Sequence, residues 1–360
     1  MPMNENFCVI MAGGVGSRFW PFSRNNYPKQ FIDFFGTGTS LLQMTFNRFR
    51  KLMPAENIYI VSNILYRDLI LEQLPEINAS QVLLEPMRRN TAPCIAYAVS
   101  RIAAVTDRAN IIVAPSDHLI LKEDEFEHIV KTGLDFIAKD DVLLTLGIKP
   151  SRPETGYGYI QIDEGEGNLR KVKTFTEKPN IDLAKVFVES GEFFWNSGIF
   201  LWSLSSIQKA FTEFLPDVAS KFEEGKAVYG TESEQAFINK MYPSCQNISI
   251  DYGIMEKAPN VYVLCADFGW SDLGTWGSLY DLSEKDENEN VTLKCDTLLY
   301  ESQNNIVAMS KPKLVVIQGL DGYIVAESDN SLLICKKEDE QNIRQYVNDA
   351  TVRFEGKNYI

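Results

Sequence analysis

Apolar residues in this chain fall into short runs separated by amphipathic stretches. Residues 7–12 form a run of strand length that ends in glycines. Ser40 then stands at the head of a stretch in which Leu41, Leu42, Met44, Phe46 and Phe49 recur at helical spacing. Beyond it, 57–62 reads as a buried strand, 66–74 as a helix stopped by Pro75, and 81–85 as a strand. Residues 94–105 read as a small-residue helix and 110–114 as a β-branched strand. Strands alternating with helices predict an α/β fold, a mostly parallel, Rossmann-like sheet covered on both faces. Ligands of open α/β sheets bind beyond the carboxyl ends of the strands, so the glycine turn, the 85–91 segment and Asp117 are expected to face one crevice.

The pattern loosens in the middle of the chain. Strands are predicted at 142–148, 172–177 and 261–264, and helices at 181–190, 205–214 and 232–241. Gly156 and Gly158 interrupt an aromatic run, which suggests close backbone approach to a ligand. Residues 193–202 are the most apolar stretch, yet Asn196-Ser197-Gly198 breaks it with polar groups that a purely structural strand would not favour. After an acidic linker at 283–290 the texture changes to short strands at 291–299, 305–309, 313–317, 323–326 and 332–335, closed by a helix at 338–349. A large domain over 1–285 and a small β-rich domain over 286–360 are expected.

Composition narrows the classes of function. With 360 residues, 45% hydrophobic and 23% charged, the chain can bury a substantial core. A formal net charge of −14 argues against a nucleic-acid partner, so an anionic substrate must be met by a local basic pocket. The six cysteines form no CxxC pair, and His118 and His128 are the only histidines, so no zinc constellation is expected. The start has no apolar leader and no segment reaches the length of a membrane span, which predicts a cytoplasmic protein.

The chemistry begins at Ala12-Gly13-Gly14-Val15-Gly16-Ser17-Arg18 and continues to Pro28-Lys29-Gln30. A Walker A loop would need lysine directly after its last glycine, and Ser17 stands there. In a dinucleotide fingerprint the third glycine would occupy the place of Phe19, and Pro21 interrupts the helix that should follow. What remains is a ligand-free turn or an unorthodox phosphate site, in which glycines admit backbone N–H groups to an anion. Arg18 and Lys29 favour the second.

Further motifs occur in order: Glu85-Pro86 with Arg89-Asn90-Thr91-Ala92-Pro93, Pro115-Ser116-Asp117-His118, Phe175-Thr176-Glu177-Lys178-Pro179, Trp195-Asn196-Ser197-Gly198 and Trp270-Ser271-Asp272-Leu273-Gly274. Together with the glycine turn they make residues 7–280 resemble the sugar-nucleotide pyrophosphorylases, and among these most of all the mannose-1-phosphate guanylyltransferases. The resemblance implies a nucleotidyltransferase domain of glycosyltransferase type A architecture, followed by a short left-handed β-helix-like domain. Many members of that family continue into a metal-dependent isomerase domain; with the sequence ending at Ile360, one activity is expected.

The resemblance further implies transfer of GMP from GTP to α-D-mannose 1-phosphate, giving GDP-mannose and pyrophosphate with Mg²⁺ assistance. Asp117 and Asp272 are the implied metal ligands. Arg18 is assigned to the transferring or leaving phosphates, and Lys29 to the triphosphate as a mobile point charge. Lys178 is assigned to the sugar phosphate, Glu177, Asn196 and backbone near Gly156 to the sugar, and Asp272 to the same subsite. The nucleotide is expected over Ala12, Gly13, Gly14, Gly16 and Ser17, with the base near Glu85, Asn90 and Ser116. His118 reads as a strand-end structural residue. Pyrophosphorylases for UTP or dTTP with glucose or N-acetylglucosamine 1-phosphate, and a catalytically dead nucleotide-sugar sensor, are the competing readings. A homodimer is compatible with each.

Overall fold

The computed structural model describes residues 5–355 and 357–359. The chain packs as two compact units. One contains the first strand with Phe46–Ser116 and Ile120–Trp270; the other contains Gly14–Thr45, Asp117–Leu119 and the chain from Ser271 onward. The second unit therefore gathers three separated stretches of sequence, whereas the expected division at 285/286 follows only the change of texture along the chain.

The first unit is built on a nine-stranded sheet. Its strands are β1 (Asn6–Met11), β2 (Ile58–Asn63), β3 (Val82–Glu85), β4 (Asn110–Pro115), β5 (Leu143–Ile148), β6 (Gly158–Ile162), β7 (Leu169–Glu177), β8 (Phe193–Ser203) and β9 (Val261–Ala266). They lie in the order β3-β2-β1-β4-β8-β5-β9-β7-β6, with β6 also paired to β8. The first four run parallel, as the βαβ pattern predicts. The whole sheet is mixed, which corrects the mostly parallel expectation. The long strand β8 runs antiparallel between β4 and β5, and β7 is antiparallel to both β6 and β9.

Apolar helices cover this sheet, because β1, β4 and β5 bury almost every side chain and need cover on both faces. The helix Thr91–Ala103 starts three residues earlier than its apolar run suggested, since the Asn90 side chain accepts from the Thr91 N–H at 2.9 Å. It packs with Leu204–Phe214 and Pro216–Glu223 into one core. The Asn196-Ser197-Gly198 break is a real irregularity. The β5–β8 register shifts between Thr145 and Gly147, and Gly198 adopts φ +70°.

In the second unit the strands are β10 (Val291–Leu293), β11 (Asp296–Tyr300), β12 (Ile306–Met309), β13 (Leu314–Gln318), β14 (Tyr323–Ser328) and β15 (Ser331–Lys336). Successive strands alternate between two small sheets. β10, β12 and β14 pair in parallel in one, β11 and β13 in the other, and β15 closes the first sheet antiparallel to β14. The closing helix is Ile343–Arg353, preceded by a 3₁₀ turn over Lys337–Asn342, so it begins later than its acidic start suggested.

A buried asparagine ladder sets the register of these coils. Asn305 is fully buried; its Nδ2 donates to Asn290 Oδ1 at 3.0 Å and to the Leu320 carbonyl at 2.9 Å, and its Oδ1 accepts from Tyr323 N–H at 2.8 Å. Asn305→Ala orphans those buried groups, so urea denaturation should report a loss of roughly 3 kcal/mol. A loss below about 1 kcal/mol would contradict the ladder's structural role.

Candidate active site

The candidate residues fall into two sets, one in each unit. In the second unit the glycine turn, Asp117 and the 271–274 turn converge on Lys29. A 3₁₀ turn over Ser17–Phe19 follows Gly16, whose φ of +73° is left-handed. A Cβ at Gly16 would collide with Lys29 Cβ, so glycine is required there by space as well as by backbone conformation. Pro28 is extended, and the Lys29 N–H donates to the Val15 carbonyl at 3.0 Å. These restraints lead the lysine inward. Its ammonium donates to Asp117 Oδ2 at 3.0 Å and to the Asp272 carbonyl at 2.7 Å, and lies 5.9 Å from the Phe19 ring centroid.

The Lys29 side chain is only 4% exposed. It is a pinned, ion-paired group, which corrects the expectation of a mobile charge. Burial pushes the Asp117 carboxyl up, but the charges of Lys29 and His118 and the hydrogen bonds it accepts outweigh that and hold it below the usual range. Asp272 sits in a tight turn, with Oδ1 accepting from Gly274 N–H at 3.0 Å. A Cβ at Gly274 would come within 2.6 Å of Asp272 Oδ2, so that glycine keeps the carboxylate in place. Arg18 Nε is buried with no hydrogen-bond partner among the described residues, and the Arg344 guanidinium is lowered by burial and by the Arg18 charge. Uncompensated positive charge of this kind is suited to an anion.

The Asp117 carboxylate, ion-paired to Lys29, and the carboxylate of Asp272, whose backbone carbonyl accepts from the same lysine, are hard oxygen donors that fit a divalent ion such as Mg²⁺, which commonly takes one or two carboxylates. No third His, Cys, Asp or Glu completes a metal cluster among the described residues. The remaining positions would fall to water and substrate oxygens.

In the first unit, the carboxyl ends of parallel strands gather Ala12, Gly13, Glu85 and Ser116. The Ala12 N–H continues the ladder to Val61, and Ser116 N–H donates to Met11. A Cβ on Gly13 would stand 3.5 Å from Glu85 Oε2. Glu85 is buried, accepts from the fully buried Tyr242 hydroxyl, and is pushed up to about 7 by burial, with Tyr242 and Arg88 pulling the other way. The segment after the helix Glu234–Met241 braces this loop. Arg89 donates to the Pro243 carbonyl at 2.5 Å, Ala92 N–H to Ile248 at 3.1 Å, and Ile250 N–H to Thr91 Oγ1 at 2.8 Å.

A second group in this unit contains Glu177, Lys178 and Asn196. Lys178 leaves β7 with φ +49°, and its ammonium is 3.8 Å from Glu177 Oε1 and largely exposed. Asn196 Nδ2 donates to Asp251 Oδ1 at 2.8 Å. Gly156 N–H donates to Glu154 Oε1 at 3.1 Å. Tyr242 and Asp251 were not singled out from sequence. Each lies in an irregular segment, a 3₁₀ turn at Tyr242–Ser244 and a π-helical turn at Asp251–Met255, where no periodicity marks a functional side chain.

These features define a nucleotidyl-transferring α/β protein, and comparison agrees. The model of the family described as nucleotidyl transferase matches residues 7–289, and the chain belongs to that family. It is 34% identical over 351 residues to a mannose-1-phosphate guanylyltransferase of Escherichia coli, spanning 94% of this chain and 74% of the relative. It is 36% identical over 366 residues to another protein of that name from Salmonella muenchen, spanning 99% and 76%. A solved structure from Thermus thermophilus, described as a mannose-1-phosphate geranyltransferase, matches with a TM-score of 0.86 at 28% identity, covering 98% of this chain and all of that one. Among the described residues no helix is long and apolar enough to cross a membrane.

Two stability measurements check the electrostatics. Lys29 holds Asp117 low, so that pair stabilises the protein above the ordinary carboxylate range and loses its effect as pH falls through the lowered value. Lys29→Met should cost about 3 kcal/mol at pH 7 in thermal denaturation, with the gap from wild type shrinking towards pH 3. Glu85 has the opposite sign: its raised pKa means full stability below pH 4.5, lost as pH rises through about 7. Glu85→Gln should therefore gain on wild type between pH 5 and pH 8.5, by up to about 3 kcal/mol; a constant difference would contradict the burial argument.

Proposed function

We propose that this protein transfers GMP from GTP to α-D-mannose 1-phosphate, forming GDP-mannose and pyrophosphate. The observation that carries the reading is the cluster of Lys29, Asp117 and Asp272, formed by the same motifs on which the family resemblance rests. The relatives named mannose-1-phosphate guanylyltransferase, aligned over nearly the whole chain, support the choice of base and sugar.

The sugar phosphate oxygen attacks the α-phosphorus in line, and the bond to the bridging oxygen of pyrophosphate breaks. A phosphate monoester has its second pKa at about 6, so the nucleophile needs no general base at neutral pH. The barrier lies in bringing anions together, and positioned charge lowers it. Arg18 supplies a planar donor to the transferring or leaving phosphates. Lys29 keeps Asp117 ionised and in place. Asp117 and Asp272 would hold the divalent ion, Mg²⁺ in this reading, whose contribution is to neutralise charge on the phosphates.

Backbone at Gly13, Gly14, Gly16 and Ser17 approaches the nucleotide, and Ala12, Glu85, Asn90 and Ser116 serve the base. A guanine edge presents N1–H and N2–H₂ donors, which suit a fixed carboxylate such as Glu85. Lys178 receives the phosphate of the sugar 1-phosphate, while Glu177, Asn196 and backbone at Gly156 receive its hydroxyls. In the same reading 1–285 carries nucleotidyl transfer and 286–360 forms a short left-handed β-helix. The parallel rungs of β10, β12 and β14 and the end of the family match at 289 support that division. The six free thiols fit a cytoplasmic setting.

The test is pyrophosphate release from a matrix of nucleoside triphosphates and sugar 1-phosphates. GTP with mannose 1-phosphate should be turned over fastest. Turnover of another pair alone, or nucleotide binding with no turnover of any pair, overturns the reading. Asp117→Asn and Asp272→Asn should each lower kcat by about 10²-fold or more with the fold intact. Unchanged rates across a Mg²⁺ titration would contradict the metal assignment.

A further inference from the structure

The Asn196 amide is largely committed within the protein. Its Oδ1 accepts from the Thr145 hydroxyl at 3.0 Å and from Gly198 N–H at 3.2 Å, which uses both lone pairs of an amide oxygen. One hydrogen of Nδ2 goes to Asp251 Oδ1 at 2.8 Å. Asn196 therefore has one donor left to offer a sugar and no acceptor. Asp251 stands differently. Its Oδ1 is fixed by Asn196, and apart from its own backbone N–H no other described residue donates a hydrogen bond to the carboxylate.

We propose that Asp251 is a sugar-binding residue of this site, its Oδ2 accepting a hydroxyl of the hexose 1-phosphate alongside Glu177. The proposal rests on the reading that residues around Lys178 receive a sugar 1-phosphate. Asn196 then acts as a bracket that aims the Asp251 carboxylate, and β8 is irregular at 196–198 because the bracket needs both ends of that amide.

Gly158 supports the same arrangement from the neighbouring strand. A Cβ there would lie 2.5 Å from Glu177 Oε2 and 3.5 Å from Asn196 Cβ, so its absence leaves room for the Glu177 carboxylate beside Asn196. Glu177 is pushed up by burial and then by the charge of Asp251, so the two carboxylates share one environment. Burial also pushes Asp251 up, with Asn196 and Lys178 pulling the other way. One ammonium faces the carboxylates of Glu177 and Asp251 there, the charge of Glu256 adds to theirs, and no metal cluster of three such ligands forms among the described residues. Neutral donors are what the group lacks, and a hexose supplies several. Two carboxylates repel a phosphate, so the substrate is oriented with its phosphate towards Lys178 and its hydroxyl-bearing carbons towards Glu177 and Asp251.

Steady-state kinetics test this. Wild type is first assayed with the panel of sugar 1-phosphates, and whichever one it uses becomes the probe, so failure of the mannose reading leaves this test standing. Asp251→Asn keeps the shape and removes the carboxylate. Its KM for the sugar 1-phosphate should rise 10- to 100-fold, the range for a hydrogen bond to a charged group, while KM for the nucleotide stays within about 2-fold. Asp251→Glu, which keeps the charge and moves the oxygens, should show the same split. Unchanged sugar-phosphate KM in a folded variant overturns the assignment, as does an equal rise in both KM values. If neither variant folds, as judged by circular dichroism, the residue is structural and the proposal fails.

Discussion

An ammonium removed from water must be met by anions or carbonyls, and Lys29 imposes that requirement on the second unit. Its partners come from two distant places in the sequence, the Asp117 carboxylate and the Asp272 carbonyl. Holding all three together is one reason why three separated stretches of chain form a single unit. The glycine turn acquires a second purpose in this light. Gly16 does more than bare its backbone; it leaves the space through which the lysine stem passes. The chain is acidic overall, and its answer to an anionic substrate is therefore a few cations placed by the backbone rather than a basic surface.

The same economy governs the first unit. Glu85 is buried against Tyr242, and the chain after Glu234–Met241 meets the 85–92 loop at several points. One residue beyond Ile250, Asp251 meets Asn196. One irregular segment thus supports both the loop assigned to the base and the residues assigned to the sugar.

Much of this was legible in the sequence because local physics wrote it there. The β1 run, the Ser40 cap, which bonds Gln43 N–H at 3.2 Å, and the parallel β1–β4 strands follow from periodicity and capping. The Asn196-Ser197-Gly198 break was visible as polarity out of place, and it marks a shift in register. The antiparallel insertion of β8 was not legible, because strand direction is settled by distant partners and not by the strand's own residues. The amphipathic helix Glu123–Ile137 also went unmarked, although Phe126 packs edge-on against Phe49 and Phe268. Tyr242 and Asp251 were hidden for another reason. Each is significant only through a partner far away in sequence, and each sits in a turn without periodicity.

The contrast between two lysines has a consequence for chemical modification. Lys29 has a 4% exposed side chain locked in an ion pair, whereas the Lys178 side chain is 66% exposed. An acylating agent needs the free amine and a path to it. Lys29 offers neither while the fold is intact, so amine-directed inactivation, whether by a laboratory reagent or by enzymatic acetylation, would act through Lys178. Of the two lysines assigned to phosphate, one is open to covalent reagents and the other is shielded while the fold is intact.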